Sequence, residues 1–265
     1  MTICHGLKNI MNMPPKISVV IITYNRAALL PRAAESVLAQ SYRDFELLII
    51  DDASIDETEK VARSLAARDG RIKYFKNEFN LDISKSRNRG VALAQGEYVA
   101  MLDSDDYWLD KDKLKKQVAY LEEHPEVGVI GTAIRCEDEH GQLLKEDIYA
   151  VDDREIRARM LWKNQIAQSS VLFRKEAYVS SGAYDESLRI GEDYDLWLKI
   201  GRRWKFANLP QVMVAYLIHS GGRSKEKVFK TISATDRIIR RHKKNYPGYF
   251  KARVKSGLRF LKALI

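Results

Sequence analysis

Residues 97–106 read EYVAMLDSDD, an apolar segment that ends in three carboxylates within four positions. A short apolar run closed by polar residues predicts a strand over 97–102 that is buried on both faces. Asp103, Asp105 and Asp106, here called the acidic cluster, follow it directly. Like charges this close raise the free energy of ionising one another. We therefore expect positive charge to meet the acidic cluster in the working protein.

Two earlier apolar runs, ISVVIIT at 17–23 and FELLII at 45–50, also predict buried strands. Ser54 with Glu57 three residues later has the form of a capping box, which predicts a helix start. Strand and helix signals alternate with short connections, and this alternation predicts an α/β domain around a mostly parallel sheet flanked by helices. The other predicted segments of this half are helices over 27–39, 54–68 and 84–94 and a strand over 71–75.

The pattern after the acidic cluster is less regular, and no internal repeat is present. His124-Pro125 ends one helix signal, and Leu196, Trp197 and Ile200 mark one face of another. The predicted helices cover 114–123, 152–163, 175–181 and 193–203, and the predicted strands cover 127–134, 169–174 and 212–219.

Polar side chains follow three of the predicted strands at the point where each strand ends. Thr23-Tyr24-Asn25 follows the first strand, Asp51-Asp52 the second, and the acidic cluster, with Ser104 between its members, the fourth. Ligands of parallel α/β sheets bind beyond the carboxyl ends of the strands. We expect these groups, which are distant in sequence, to lie on one edge of the sheet.

The composition excludes several classes of protein. With 45% hydrophobic residues and only 14 Gly and 6 Pro, the 265-residue chain is neither collagen-like nor Pro-rich and disordered. Cys4 and Cys136 are too few for a disulfide scaffold and fit a reducing compartment. No apolar run approaches the ~20 residues of a spanning helix, and residues 1–16 lack the apolar centre of a signal peptide. The absence of GxGxxG after the first strand and of GxxxxGK[ST] argues against dinucleotide dehydrogenases and P-loop NTPases.

The net charge of +9 is concentrated at the C-terminal end. Residues 224–265 carry thirteen Lys or Arg against Glu226 and Asp236, a net +11, so the rest of the chain sums to −2. We therefore divide the chain into an N-terminal lead at 1–15, a main domain at 16–223 and a basic tail at 224–265. Any nucleic acid or membrane surface would meet this basic tail.

Apolar residues in the basic tail recur at helical spacing, with basic residues one position later. A helix with an apolar stripe beside a basic one suits the surface of an anionic membrane. It would equally suit packing on the main domain with its charges in water, and nucleic acid is a third partner to consider. The apolar positions are Phe250, Val254, Leu258, Leu261 and Ile265, and the basic positions are Lys251, Lys255, Arg259 and Lys262.

The acidic cluster suits a hard divalent cation, Mn²⁺ or Mg²⁺, because such ions take oxygen ligands and often share a substrate's phosphates. Asp103 and Asp105 are the candidate ligands, and a nucleotide diphosphate is the candidate partner. Asp52 would accept a hydrogen bond from the nucleotide base, Tyr24 would stack on it, and Arg87 would meet a phosphate. The ordinary alternatives are a solvated acidic loop, a helix N-terminus at Asp52 and a surface arginine.

Four blocks in order, VVIITYNRAALLPRAAESVLAQSY, FELLIIDDAS, SRNRGVALAQGEYVAMLDSDD and GEDYDLWLKI, resemble family-two glycosyltransferases with the GT-A fold. The resemblance runs from about residue 16 to residue 224. It implies a nucleotide-sugar donor, most often UDP-linked, and transfer with inversion at the anomeric carbon. Together with the basic tail, it leads us to expect a cytoplasmic enzyme of cell-envelope polysaccharide or glycolipid synthesis, with the tail placing it on the inner face of the membrane. The acceptor would be a saccharide or a lipid-linked saccharide.

The resemblance carries roles over to matching positions. By this match the nucleotide-binding set is Thr23, Tyr24, Asp52, Arg87 and Asp103, and we add their strand-end neighbours Asn25 and Ser104. The metal set is Asp105 as the direct ligand, with Asp103 and His219. Glu192-Asp193 matches the motif that supplies the catalytic base, which we assign to Asp193 with Glu192 as the second candidate; a helix-start acidic pair is the alternative.

Two positions depart from the family pattern. Leu217 stands where an arginine often precedes the histidine, and Arg223 is a candidate replacement. Asp82 stands where the family often has glycine. On the acceptor side, Trp162, Asn164 and Gln168 precede a predicted strand, with core packing as the alternative for Trp162 and a surface loop for the other two.

Two other functions would suit parts of the chain. A sugar nucleotidyltransferase is also α/β and metal-dependent, but it would carry a Gly-rich loop where this chain has TYNRAALL. A basic nucleic-acid-binding protein would use the basic tail and would bind with strong salt dependence. Neither accounts for the acidic cluster as well as a glycosyltransferase does.

Overall fold

The computed structural model describes residues 14–218 and 228–264, and within them strands and helices alternate as the sequence predicts. The described strands are β1 (Ile17–Thr23), β2 (Phe45–Asp51), β3 (Ile72–Lys76), β4 (Tyr98–Asp103), β5 (Tyr107–Trp108), β6 (Val127–Glu137), β7 (Leu143–Asp147), β8 (Leu172–Arg174) and β9 (Lys205–Leu217). The described helices are α1 (Leu30–Leu38), α2 (Thr58–Arg68), α3 (Ile83–Leu93), α4 (Lys113–Glu123), α5 (Asp153–Met160), α6 (Lys175–Ser180), α7 (Glu192–Ile200), α8 (Val228–His242) and α9 (Tyr249–Leu264), with a short 3₁₀ helix at Gln168–Ser170.

The described strands form one mixed sheet in the order β3-β2-β1-β4-β8-β6-β9-β5, with β7 paired to β6. β3, β2, β1 and β4 are parallel, which confirms the arrangement predicted for the first half. β8 then runs antiparallel to both β4 and β6, and β9 is parallel to β6. The second half therefore departs from a purely parallel sheet, because β8 lies between β4 and β6 and runs antiparallel to both.

Two apolar layers cover the sheet. Along β1, Val20 and Ile22 face one layer, while Val19 and Ile21 face the other, as the two-residue period of a strand requires. α3, α5, α6, α7 and α8 contribute to the first layer and α1, α2 and α4 to the second. α3 packs closely on β1 at Gly90, which has no side chain. A β-carbon there would lie only 2.5 Å from the Val20 side chain.

Local signals failed at a few boundaries. α2 begins at Thr58, so the predicted Ser54 capping box is wrong, and the Ser54 hydroxyl instead accepts a hydrogen bond from the Asn25 amide at 2.9 Å. The 3₁₀ helix occupies the start of the strand predicted over 169–174. β9 begins at Lys205, earlier than predicted, because pairing with β6 extends it. β5 and β7, which were not predicted, are short or exposed strands with little hydrophobic pattern.

The basic tail forms α8 and α9, and its buried apolar residues belong to the same core as Trp197. Those residues are Ile238, Ile239, Tyr246 and Ala252. The predicted apolar stripe of α9 instead faces solvent at Phe250, Val254, Leu258 and Leu261. None of the described helices is both long enough and apolar enough to cross a bilayer. Residues 1–13, the junction at 219–227 and Ile265 lie outside the described residues, as therefore do His219, Arg223 and most of the predicted lead.

Candidate active site

The strand register brings the predicted polar groups to one edge of the sheet. Thr23 of β1 pairs with Asp51 of β2, and Ile22 pairs with Asp103 of β4. Neighbouring parallel strands in register end at the same height, so Thr23, Asp52 and the acidic cluster lie side by side. The convergence expected from the sequence is thus confirmed.

The group after β1 presents two different surfaces. Thr23 is buried, and its hydroxyl has no hydrogen-bond partner among the described residues. Tyr24 is 45% exposed, which leaves its ring accessible for stacking. Asn25 has a left-handed backbone with φ of 52°, and its side-chain oxygen accepts a hydrogen bond from the Ile55 amide at 2.9 Å. Asn25 therefore braces the loop after β1 against the loop after β2.

Asp52 is buried at the end of β2 and is already used by its neighbours. Its Oδ1 accepts hydrogen bonds from Asn77 Nδ2 at 2.6 Å and from the Leu81 amide at 2.8 Å. The Asp52 amide donates to the Thr23 carbonyl at 2.9 Å. These bonds fix the carboxylate beside Thr23, at the position where a base contact was predicted.

Arg87 is a buried side chain and not the surface arginine that was its alternative. It projects from α3, with 4% of its area exposed, and donates to Asp103 Oδ1 at 2.6 Å and to Glu192 Oε1 at 2.8 Å. Burial by itself would lower the pKa of its guanidinium, but Asp103 and Glu192 outweigh burial and raise that pKa. Arg87 thus joins β4 to α7 by a buried ion-pair bridge.

The acidic cluster meets positive charge from two arginines. Arg87 pairs with Asp103, and the Arg26 guanidinium lies 3.9 Å from Asp105. Asp106 is buried, and its pKa is raised well above the ordinary value, first by burial and then by the charges of Asp105 and Asp103. Negative charge therefore still exceeds what the two arginines supply.

Asp106 and Ser169 are functional candidates that the sequence reading left out. The Ser169 hydroxyl donates to Asp106 Oδ2 at 2.5 Å and accepts from the Asp103 amide at 3.1 Å. Asp106 Oδ1 accepts from the Leu217 amide at 2.9 Å. Asp106 lies inside the quoted acidic stretch, so its position was visible in the sequence. Nothing local marks Ser169, whose role depends on β8 lying beside β4.

The metal prediction involves Asp103 and Asp105, whose side chains keep 28% and 23% of their area exposed. Across residues 14–218 and 228–264, no three His, Cys, Asp or Glu side chains converge on a point where they could share an ion. The third predicted ligand, His219, lies outside the described residues. The described part of the site therefore offers two carboxylates, a number that Mg²⁺ commonly uses with a substrate's phosphates.

The predicted base motif begins α7. Glu192 is buried and held by Arg87, whereas Asp193 is partly exposed, and its Oδ2 accepts from Asn164 Nδ2 at 3.4 Å. Burial, followed by the Glu192 charge, raises the pKa of Asp193 to about 6, although Arg87 opposes the shift. The two adjacent carboxyls thus differ, because Glu192 pairs with Arg87 whereas Asp193 has a raised pKa.

The acceptor-side candidates differ from their expected surroundings. Trp162 is 52% exposed, so the core role given as its alternative is wrong. Gln168 is buried and donates to the Tyr184 hydroxyl at 3.0 Å, so it is not a surface-loop residue. Asn164 contacts Asp193 and is the one of the three that reaches a predicted catalytic residue.

The two departures from the family pattern have structural consequences. Asp82 adopts φ of 68° and ψ of 162° at the start of α3, a conformation that glycine adopts without strain. Leu217 is buried, and its amide binds Asp106, so this position supports the acidic cluster through its backbone.

Comparisons with known proteins agree with this geometry. The family model described as "Glycosyl transferase family 2" matches residues 18–181. The amylovoran biosynthesis glycosyltransferase AmsE of Erwinia amylovora is 34% identical over 201 residues, covering 74% of each chain.

Two solved structures share the fold. The Staphylococcus aureus TarS fragment 1–349 with UDP-GlcNAc has a TM-score of 0.69 and 21% identity, covering 84% of this chain and 65% of that one. The mannosyltransferase PcManGT from Pyrobaculum calidifontis with GDP-Man and Mn²⁺ has a TM-score of 0.69 and 18% identity, covering 96% and 76%. The mixed sheet flanked by helices is accordingly of the GT-A type.

The family match favours sugar transfer over the nucleotidyltransferase and nucleic-acid-binding alternatives. It extends over β1 to α6 and includes the acidic cluster and Arg87. The order of blocks in the sequence, the strand-end geometry and these comparisons agree, and the chain belongs to glycosyl transferase family 2.

Proposed function

We propose that this chain transfers a sugar from a UDP-linked donor to an acceptor hydroxyl, with inversion at the anomeric carbon. The observation that carries the proposal is the Arg87 bridge, which joins the donor-side Asp103 to Glu192 beside Asp193. Inverting displacement needs a base close to the donor, and the bridge holds the acidic cluster and α7 together.

Asp193 acts as the base that takes the proton from the acceptor hydroxyl. Its raised pKa of about 6 lies close to neutral pH, where a carboxylate is ionised and still basic enough to accept a proton. Glu192 is bound to Arg87 and serves to position the bridge. Asn164 orients the Asp193 carboxylate by its side-chain hydrogen bond.

The donor lies across the carboxyl ends of β1, β2 and β4. Tyr24 stacks on the nucleotide base, with Thr23 and Asp52 at its edge and Asn25 bracing the loop. Arg87 binds Asp103, and Ser104 lies in the turn between Asp103 and Asp105. In this proposal the leaving diphosphate lies next to the acidic cluster, and Asp193 acts from the acceptor side.

The residues of the acidic cluster fit a divalent cation. Their ligand atoms are hard oxygens, and three carboxyls stand against the two arginines, Arg26 and Arg87, that pair with them. Asp105 would hold Mn²⁺ or Mg²⁺ directly, with Asp103 as the second carboxylate. The family resemblance adds His219, which lies outside the described residues. When bound, the ion offsets the charge that develops on the leaving diphosphate. The Mn²⁺ in the PcManGT structure supports this assignment.

The acceptor is proposed to be a saccharide or lipid-linked saccharide of cell-envelope polysaccharide synthesis, used on the cytoplasmic side of the membrane. The similarity to AmsE, a glycosyltransferase of amylovoran biosynthesis, supports this class. We assign the acceptor side to Asn164, which binds Asp193, and to the exposed Trp162 two residues before it.

Thermal unfolding with UDP, GDP and CDP, each with and without Mn²⁺, tests the donor site. UDP with Mn²⁺ is expected to raise the Tm, since a ligand at about 100 times its Kd adds about 2.7 kcal/mol of stability. Asp105→Ala should abolish the shift, and Asp44→Ala, at an exposed aspartate before the opposite end of β2, should retain it.

The nucleotide series also separates the relatives, because TarS was solved with UDP-GlcNAc and PcManGT with GDP-Man. A shift with GDP alone would replace the UDP assignment. A well-folded sample that shows no shift with any of the three nucleotides would count against a donor site at this edge.

A further inference from the structure

The helix α9 has two apolar faces, and the fold uses only one of them. Ala252 on the inner face is buried, Arg253 forms an ion pair with Asp236 of α8, and Phe260 contacts the Phe229 ring edge-on at 5.4 Å. These contacts hold α9 against α8 and the domain. The opposite side, here called the outer face, takes no part in them.

The outer face consists of large apolar side chains that stand in solvent. Their spacing of four, four and three residues places them on one stripe of the helix, turned away from Ala252. Their exposed fractions run from 48% to 79%. The outer face is Phe250, Val254, Leu258 and Leu261.

A row of cations borders the outer face on one side. Lys251, Lys255 and Arg259 each follow an outer-face residue by one position and therefore lie about 100° further around the helix. Arg259 and Lys163 crowd Lys255, and the pKa of Lys255 is lowered by burial and then by these two charges. Lys251 and Arg259 are exposed, so these two cations are the ones that can meet an anionic surface.

We propose that α9 docks on an anionic lipid surface, with its outer face among the acyl chains and its basic row against the headgroups. The docking itself does not depend on the proposed sugar transfer. Helices with a broad apolar stripe and a basic flank lie in the plane of such surfaces. At sixteen residues α9 is suited to lying in the interface, and no described helix could span the bilayer.

Charge decides between a lipid surface and the other partners for this face. A second copy of the chain would bring together two basic tails of net charge +11, which repel each other. Nucleic acid would satisfy the basic row but would leave the outer face in water. An anionic lipid surface matches both features.

The docked helix lies beside the acceptor side of the site. Lys255 donates to the Trp162 carbonyl at 3.2 Å and lies 5.1 Å from the Trp162 ring centroid. Trp162 precedes Asn164 by two residues, and Asn164 reaches Asp193. If the proposed function holds, an acceptor anchored in the same surface would approach Asp193 along this segment.

Vesicle flotation of the full chain tests the proposal, with phosphatidylcholine vesicles and the same vesicles containing phosphatidylglycerol. We expect binding to the anionic vesicles only, weakened by salt. Val254→Asp/Leu258→Asp should abolish it, and Val179→Asp, an equally exposed apolar position on α6, should not. Lys251→Glu/Arg259→Glu should weaken binding at least about ten-fold, while Lys60→Glu/Lys115→Glu, the same charge change elsewhere, should weaken it far less.

All these positions are exposed, so each variant should melt at the wild-type Tm, and this is checked on the same samples. Equal binding to neutral vesicles, or full binding by both α9 variants, would overturn the proposal. A dimer in light scattering that Val254→Asp/Leu258→Asp dissociates, without vesicle binding, would assign the face to a second copy. Binding of duplex DNA or RNA in place of vesicles would assign it to nucleic acid.

The nucleotide-induced Tm shift, measured in parallel, separates the two proposals. Nucleotide binding without vesicle binding overturns docking alone. Vesicle binding without any nucleotide shift overturns the donor site alone.

Discussion

At the scale of single residues, two neighbouring carboxyls at the edge of the sheet differ in their contacts and in their pKa. Glu192 and Asp193 are adjacent in sequence, yet Arg87 binds Glu192 at 2.8 Å and leaves Asp193 with a raised pKa. The difference arises because successive residues on a helix point about 100° apart. One carboxylate can therefore remain a counter-ion while its neighbour acts as a base.

Asp193→Asn should lower kcat by about 10²–10⁴ while leaving nucleotide binding intact, because the acceptor loses its base. The rate of the wild type should rise with pH to a plateau, with an apparent pKa of about 6, as Asp193 becomes ionised. Steady-state rates between pH 5 and pH 8 check this. A smaller loss for Asp193→Asn than for Glu192→Gln would transfer the role to Glu192.

The raised pKa of Asp193 should also make the stability of the folded protein depend on pH. Its pKa of about 6 in the folded chain exceeds the ordinary value, so the folded state binds the extra proton, and stability falls as pH rises from about 4 to about 6. Asp193→Asn removes this fall and should be more stable at neutral pH by about 1–3 kcal/mol. Urea unfolding at pH 4 and pH 7 measures it, and identical pH profiles for the two proteins would refute the shift.

Asp82 provides a second test at the scale of one residue. Its positive φ costs free energy because a β-carbon is crowded there. Asp82→Gly should raise the free energy of unfolding by about 1 kcal/mol, despite loss of the 3.1 Å ion pair with Arg189. Asp82→Ala loses the same carboxylate but keeps the β-carbon, so it should show no gain in denaturant melts. Equal stabilisation by Asp82→Gly and Asp82→Ala would show that backbone strain at this position is not the cause.

At the scale of elements, α7 carries the proposed base and is bound to α8. Asp195 of α7 and His242 of α8 are both fully buried and lie 2.9 Å apart. Arg202 can only donate, so it donates to His242 Nδ1, and His242 Nε2–H therefore donates to Asp195. Burial raises the pKa of Asp195, but the His242 bond and the Lys199 and Arg241 charges outweigh it and lower that pKa.

His242→Ala should lower the free energy of unfolding by about 2–4 kcal/mol, because it leaves a cavity and removes a hydrogen bond from buried Asp195. His140→Ala, at an exposed histidine, should change it by less than about 0.5 kcal/mol. Denaturant melts of the two variants make the comparison. Equal stability would show that α7 does not depend on this clamp.

At the scale of the whole molecule, the basic tail is both a core element and a surface. Ile238, Ile239, Tyr246 and Ala252 are buried in the core layer that contains Trp197. The outer face of α9 points into solvent on the side of the helix opposite these core residues. The charge of the chain is thus separated into an acidic site and a basic face on one body.

Removal of residues 224–265 should destabilise the main domain by about 4 kcal/mol or more, because four core side chains are lost. A chain that ends at Gly257 keeps all four and should unfold within about 1 kcal/mol of the full chain. Circular dichroism melts of both truncations test this. A fragment 1–223 as stable as the full chain would show that the tail packs only superficially.

Local patterns predicted most of the fold and the place of the site. Apolar runs gave β1, β2 and β4, because burial on both faces requires them, and the polar residues after these runs marked the edge. The order of four blocks was sufficient to indicate the family that the comparisons confirm. These features are local in sequence or depend only on the rule that parallel strands end together.

The remaining features depend on contacts between distant residues. Arg87 and Glu192 are separated by 105 positions, and Asp106 and Leu217 by 111, so their pairing follows only from how α3, β4, α7 and β9 pack. Sequence by itself therefore determined which residue types stand at the strand ends and where charge accumulates. Tertiary structure alone decided which carboxylate pairs with Arg87 and which face of α9 remains exposed. Both depend on long-range packing, which local sequence patterns do not show.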